Sequence, residues 1–132
     1  MYLLDTDTLC NLGKQEPSPK LLERLAGTPE PLYTSAVNVA EMTYGASRSP
    51  SPSSYLRGLE DALRALSGVF PLDYEAAQVW GRLLADQERR GRPIGHFDSQ
   101  IAAIALRNHL TVVTGNLSHF TQVAGLPVEN WL

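Results

Sequence analysis

The sequence predicts a three-layer α/β fold, a central parallel sheet with helices on both faces. Short strand-like runs at residues 2–4, 32–34, 69–72 and 111–114 alternate with longer segments of helical periodicity, the order produced by parallel strands with helical crossovers. The first run, Tyr2-Leu3-Leu4, is apolar at every position, as a strand covered on both faces must be; a strand with one wet face alternates. A chain of 132 residues is large enough for a real core and too small for two domains, so a single domain over 1–132 is expected.

The first strand ends at Asp5. Leu9 and Leu12 follow at helical spacing, with Thr6 or Asp7 as the cap. Pro17-Ser18-Pro19 opens a second helix, whose Leu21, Leu22 and Leu25 form an apolar face ended by Gly27. Pro29 and Pro31 mark a loop before the strand Leu32-Tyr33-Thr34, and Ser35 is a good N-cap for a helix from Ala36 to about Ala46. Residues 47–54, with Pro50, Pro52 and several serines, read as a connecting loop. Tyr55 to Leu66 is an amphipathic helix through Leu56, Leu59, Leu63 and Leu66. Gly68 breaks it, Val69 to Leu72 forms a short strand, and Asp73 caps a helix ending in Arg89-Arg90-Gly91-Arg92 before Pro93. Ile101 to Leu106 is apolar throughout and reads as a fully buried helix. Thr111 to Thr114 is the last full strand, and Val128 begins a weak final one.

Composition excludes several classes. Hydrophobic residues at 43% and charged residues at 19% are ordinary for a globular protein, and no run is apolar and long enough to span a bilayer. No secretory leader is expected, because Asp5 interrupts the N-terminal apolar run almost at once. Cys10 is the one cysteine, so no internal disulfide can form and a reducing cytoplasm is the expected compartment. A net charge of −3 argues against a broad basic nucleic-acid surface while leaving room for a local patch.

The chemistry rests on acids. In open α/β sheets the ligand crevice lies at the carboxyl ends of the strands, which is where Asp5 falls; a lone Asp after a strand is more commonly a turn residue. Glu41 shares a stripe of i, i+3, i+4, i+7 spacing with Val37, Ala40 and Tyr44. A buried unpaired carboxylate costs roughly several kcal/mol, so such a residue needs a partner, a metal or an open cleft. Asp98 stands in the first turn of the buried helix, where the plain alternative is a dipole or capping role worth about 1 kcal/mol. Thr114 and Asn116 follow a strand end and suit a phosphate or a metal's water as well as an ordinary loop. His96 and His119 read as neutral hydrogen-bonding groups, with His119 also a phosphate candidate, and His109 as a helix-end surface group. Arg82, Arg89, Arg90 and Arg92 form the only local concentration of positive charge, either a solvated helix end or a set of phosphate contacts.

Together these residues resemble a known family. Asp5 after an apolar strand, Glu41 in Val-Asn-Val-Ala-Glu-Met-Thr-Tyr-Gly, Asp98 in Phe-Asp-Ser-Gln-Ile-Ala-Ala-Ile-Ala and the closing Val-Val-Thr-Gly-Asn-Leu-Ser-His-Phe are similar, in order and interval, to the PIN domain, and more narrowly to the VapC-type toxins of toxin–antitoxin pairs. The likeness runs over essentially the whole chain. It implies the three-layer PIN-like fold and a Mg²⁺- or Mn²⁺-dependent endoribonuclease, with tRNA as first expectation for the RNA. It also implies a homodimer inhibited by a VapB-like, DNA-binding antitoxin. Asp5, Glu41 and Asp98 fall on the family's three central acids as metal ligands and catalytic groups. At the fourth position, where relatives often carry an acid, this chain has Asn116 and His119. Thr6, Asp7, Thr114, His119, Arg89, Arg90 and Arg92 are further candidates for contact with the substrate or support of the ligands.

The chemistry is consistent with that assignment. Phosphodiester hydrolysis needs an activated water and neutralised phosphate charge, and oxygen ligands favour Mg²⁺ or Mn²⁺ over zinc. Three close carboxylates repel one another, so at least one raised pKa is expected. Two alternatives remain. Asp5-Thr6-Asp7-Thr8 fits the nucleophile pattern of haloacid-dehalogenase-like phosphatases, but the only lysines, Lys14 and Lys20, come too early to balance a phosphoenzyme. A catalytically inactive PIN-like binding module is the other, and the intact acid trio speaks against it.

Overall fold

The computed structural model describes residues Met1 to Leu132. Twelve elements follow in the order β1 (Tyr2–Leu4), α1 (Thr6–Leu12), α2 (Pro19–Ala26), β2 (Leu32–Ser35), α3 (Ala36–Arg48), α4 (Pro52–Arg64), β3 (Gly68–Phe70), α5 (Tyr74–Arg90), α6 (His96–Arg107), β4 (Thr111–Val113), α7 (Leu117–Phe120) and β5 (Val128–Glu129). The five strands form one sheet in the order β3-β2-β1-β4-β5, and every pairing is parallel. The expected three-layer α/β fold is therefore present, with β1 at its centre.

Adjacent residues of β1 serve opposite cores, because successive side chains of a strand point to opposite faces. Leu3 packs with Ile101, Ile104, Ala105 and Phe120 on the face covered by α5 and α6. Leu4 packs with Leu9, Leu21, Met42, Ala62 and Trp131 on the face covered by α1, α2 and α4. Val112 and Val113 of β4 divide in the same way. Two-sided burial is what the unbroken apolar run of β1 and the adjacent valines of β4 encode.

Several boundaries differ from the sequence expectation for local reasons. The cap of α1 is Asp5, not Thr6 or Asp7: its backbone is extended (φ −75°, ψ 167°) and its carbonyl accepts from Leu9 N–H, while its side chain makes no capping bond. Helix α3 runs past Ala46 to Arg48 and stops where Ser49, forced extended by Pro50, cannot continue it. The stretch expected as a loop over 47–54 is mostly helix, since Pro52 occupies the first turn of α4, where its missing N–H costs nothing. Strand β3 begins at Gly68, paired with Tyr33, and ends before Pro71, which has no N–H to donate. Helix α6 is buried from Ile101 to Ala105, but Leu106 is half-exposed. The single turn α7 had no signal in the sequence pattern.

Candidate active site at the carboxyl end of β1

Strand order reverses at β1, whose neighbours are β2 on one side and β4 on the other, and a crevice opens at the carboxyl ends of such strands. Asp5 is fixed there by its own backbone, Asp5 N–H donating to Val113 O at 2.9 Å. The residue is 5% exposed. One carboxylate oxygen accepts from Asn38 Nδ2 (2.9 Å) and the other from the Thr114 hydroxyl (2.7 Å). Thr114 is in turn bound by Asn116 N–H at 2.9 Å, which ties the turn after β4 to the acid.

Asn38 was not singled out by its sequence, yet it organises this half of the site. Ser35 and Asn38 form a capping box at the start of α3, in which Asn38 Oδ1 accepts from Ser35 Oγ (2.6 Å) and Ser35 N–H (3.3 Å). With its oxygen so committed, the amide must present Nδ2 to Asp5 Oδ1 and to Thr6 Oγ1 (3.0 Å). The Thr6 hydroxyl in turn donates to Glu41 Oε1 at 2.8 Å. An Asn three residues after a serine cap was the available signal, but an amide at that position is as common in plain helix starts.

Glu41 lies on the rim of the cleft and not on a buried apolar stripe. Val37 is buried, but Ala40 and Tyr44, expected on the same face, are exposed, Tyr44 by 58%. The face of α3 that packs inward runs through Val37, Asn38, Met42 and Ala46, so Glu41 borders the core, half-buried, with the Thr6 hydroxyl as the partner its charge required.

Asp98, in the first turn of α6, takes no part in capping, for the start of that helix has no side-chain cap. Its Oδ2 accepts instead from Asn116 Nδ2 (3.0 Å) and lies 2.6 Å from His119 Nδ1. So short an approach to a carboxylate places the proton on Nδ1, and the 3.0 Å separation of Asn116 Nδ2 from the same nitrogen is then a contact between two donors. Asn116 and His119 thus both hold Asp98. Asp7 accepts from Gly115 N–H at 2.8 Å and from Thr8 Oγ1 at 3.2 Å.

Burial pushes the Asp5 carboxyl up to about 6; the Thr114 and Thr6 hydrogen bonds pull against it, and the charges of Asp7 and Asp98 add to it. The Glu41 carboxyl is also raised, again first by burial and only then by Asp98 and Asp7. A raised pKa was expected, but from mutual repulsion; desolvation is the larger cause. No lysine or arginine pairs with Asp5, Asp7, Glu41 or Asp98.

The basic segment is placed differently. Arg89 and Arg90 reach back to Asp86 at 3.8 and 3.1 Å, and none of Arg89, Arg90 and Arg92 bonds to an acid of the cleft. His96 stacks edge-on against Trp80 at 5.8 Å. His109 lies beyond the end of α6 with φ 56°.

The PIN domain family matches residues 2–126, and the chain belongs to this family. Within it the likeness is to the VapC ribonucleases. The chain is 32% identical to the tRNA(fMet)-specific endonuclease VapC of Salmonella typhimurium, over 98% of this chain and 97% of that protein. It is 34% identical to the ribonuclease VapC2 of Haemophilus influenzae, over 99% and 98%. Among solved structures, DNA-bound VapBC from Salmonella typhimurium contains a chain matching with a TM-score of 0.90 at 32% identity, over 99% of this chain and 98% of that one. VapBC2 of Rickettsia felis, bound to a DNA fragment from its promoter, matches with a TM-score of 0.88 at 28% identity, over the same shares. No helix of the chain is long and apolar enough to cross a membrane.

Proposed function

We propose that this chain is a Mg²⁺- or Mn²⁺-dependent endoribonuclease, the toxin of a type II toxin–antitoxin pair, acting in the cytoplasm. Transfer RNA is its first candidate substrate, since a relative of matching length is a tRNA(fMet)-specific endonuclease. One observation carries the reading: a carboxylate fixed on the central strand and shut from water feels the charges of two further acids, with no lysine or arginine among them and only the His119 imidazole against Asp98. A divalent cation is the counter-charge that such a cluster lacks.

The residues fit such an ion. All the acid donors are oxygens, and Asn38 and Thr114 each occupy one site on Asp5, leaving each of its oxygens free to accept again. No three acid or imidazole groups converge tightly enough to chelate a cation alone, and Mg²⁺ is commonly held through one or two carboxylates with water completing its octahedron. Asp5 and Asp98 would hold it, with Glu41 facing them. A cation there supplies neutralisation of the scissile phosphate and acidification of the attacking water. The chain's residues do the rest: Asn38 and Thr114 orient Asp5, and Asn116 and His119 orient Asp98. Glu41, its carboxyl raised and one oxygen fixed by Thr6, is suited to take the proton from the water.

The antitoxin has a seat beside this cleft. A cavity of about 130 Å³ lies between α1, α3 and α4, lined by Leu9, Cys10, Met42, Tyr55 and Leu59 among others. The helices approach closely there because Gly13 and Gly58 face one another; a Cβ on Gly13 would lie 3.0 Å from Gly58 O. An apolar segment of a VapB-like, DNA-binding partner laid in this groove would carry an arginine into the acids, and the active assembly would be a homodimer.

Cleavage of bulk tRNA under titration with Mg²⁺ and Mn²⁺ tests the activity. Asp98→Asn should remove it with the fold intact, and full activity in that variant would sink the assignment.

A further inference from the structure

Helix α5 ends in a left-handed turn at Gly91, φ 66°. Gly91 N–H bonds Glu88 O at 3.2 Å and Arg92 N–H bonds Gln87 O at 3.0 Å, the pair of bonds that defines a Schellman closure. This turn brings Arg92 back over Gln87, and Pro93 prevents the helix from resuming. The result is a groove of about 340 Å³ lined by Asp86, Gln87, Arg90, Arg92 and Gln122, with no hydrophobic residue.

Gln87 is the unusual member. It is 5% exposed, and its Nε2 is the one buried side-chain nitrogen or oxygen of the protein without a hydrogen-bond partner. A buried amide donor left unpaired is costly, and folded proteins seldom tolerate one without reason. Two arginines line the same groove. Arg90 is partly neutralised by Asp86, its Nε 3.1 Å from Oδ2, whereas Arg92 has no acidic partner. A donor-rich, polar groove in which cations outnumber the one acid, in a chain of net charge −3, has the chemistry of an oxyanion site: guanidinium forks match phosphate oxygens, and the Gln87 amide, closed from solvent as it stands, gains its missing acceptor when its side chain turns toward an oxygen seated on the floor.

Its fourth wall ties the groove to the acids. Gln122 follows α7, its N–H bonded to His119 O at 3.2 Å, and His119 is the side chain that holds Asp98. Groove and cleft are thus about one turn of backbone apart.

We propose that this groove is a phosphate subsite for the RNA strand, holding a backbone phosphate away from the scissile one and setting which bond reaches the acids. The proposal rests on the ribonuclease reading given above, and it treats Gln87, Arg90 and Arg92 as positioning residues.

The test is binding of fluorescently labelled bulk tRNA to the full chain in EDTA, followed by anisotropy from low to high salt, for the wild type, Arg92→Ala, the double variant Arg90→Ala/Arg92→Ala, and Gln87→Glu. Removing one arginine–phosphate pairing should reduce the slope of log affinity against log salt by about 0.7 to 0.9, so the double variant should fall by about 1.5 and bind about tenfold more weakly. Gln87→Glu, which puts an anion on the floor, should weaken binding at least as much as Arg92→Ala. Mn²⁺ binding by calorimetry and melting temperature should be unchanged in the arginine variants, and in cleavage assays the loss should fall on KM with kcat retained. An unaltered salt slope in the double variant overturns the subsite, as does a loss confined to kcat. Should Gln87→Glu fail to fold, the arginine variants decide the matter alone. A wild type that binds tRNA with the expected slope but cuts no RNA under any divalent cation would refute the ribonuclease reading and leave the groove standing as an RNA-binding feature.

Discussion

Replacing Asp5 by Asn should stabilise the metal-free protein while destroying its activity. The folded protein holds the Asp5 carboxyl at about 6 against an ordinary value of 3.8, a displacement of about 2 units, and each unit corresponds to about 1.4 kcal/mol, so ionised Asp5 costs roughly 3 kcal/mol at neutral pH. The group is almost wholly buried, so solvent screening removes little of this. An amide in its place keeps an oxygen for Asn38 Nδ2 but turns a nitrogen toward Thr114, whose hydroxyl must change from donor to acceptor and loses a bond worth about 1 kcal/mol. The net gain is about 2 kcal/mol, or roughly 5 to 10 °C in melting temperature for a chain of this size. Its pH dependence is the sharper signature. The folded state binds more protons than the unfolded one between the two pKa values, so the wild type gains stability as pH falls from about 6 to about 4, whereas the variant has nothing to titrate at this position. Thermal denaturation in EDTA at pH 8, 7, 6, 5 and 4 should therefore show the difference full at pH 7 to 8, passing through zero at about pH 4.5 and slightly reversed at pH 4, where the Thr114 loss outweighs what remains. Saturating Mn²⁺ at pH 7.5 should narrow it by stabilising only the wild type. A difference that does not change with pH, or a variant less stable at pH 8, would refute the burial account of Asp5.

Asn38→Ala removes the amide that joins Ser35, Asp5 and Thr6, leaving buried partners of each unpaired; it should cost about 3 kcal/mol by urea denaturation, and a loss below about 1 kcal/mol would mean water replaces the amide. His109→Gly should raise stability by about 0.5 to 1 kcal/mol without changing activity, because His109 occupies the left-handed position closing α6, with Leu110 N–H on Ala105 O at 2.9 Å, where glycine has no Cβ penalty; a lower melting temperature would contradict this. Calorimetric titration of the cognate antitoxin should show weaker binding in saturating Mn²⁺ than in EDTA, because its arginine and the cation compete for the same acids; equal affinity would place the block outside the cleft.

Local patterning was enough for the layers. Unbroken apolar runs with helical segments between them specify strands covered on both faces, and β1 and β4 divide their neighbouring residues between two cores as that requires. The acids Asp5, Glu41 and Asp98 were also legible, since a charge at a strand end or among apolar residues violates the pattern around it. The errors of boundary came where one residue type serves two purposes: Pro52 starts α4 instead of extending a loop, and Gly68 belongs to a strand instead of breaking a helix.

What depended on tertiary structure is what lies far apart in the chain. Asn38 gains its role because the register of β1 against β2 sets the start of α3 beside Asp5, 33 residues away. Thr114 meets Asp5 across 109 residues through the pairing of β1 with β4, and Asn116 and His119 reach Asp98 only because α7 folds back over α6. The origin of the raised acids belongs here as well: proximity of charge can be guessed from a motif, but desolvation depends on how completely both cores close around the strand end. The turn at Gly91 is written locally, while the partnerless amide of Gln87, in one groove with Arg92 and Gln122, exists only once the chain has packed. A sequence names the groups that can do chemistry, and long-range packing sets their exposure, partners and charge.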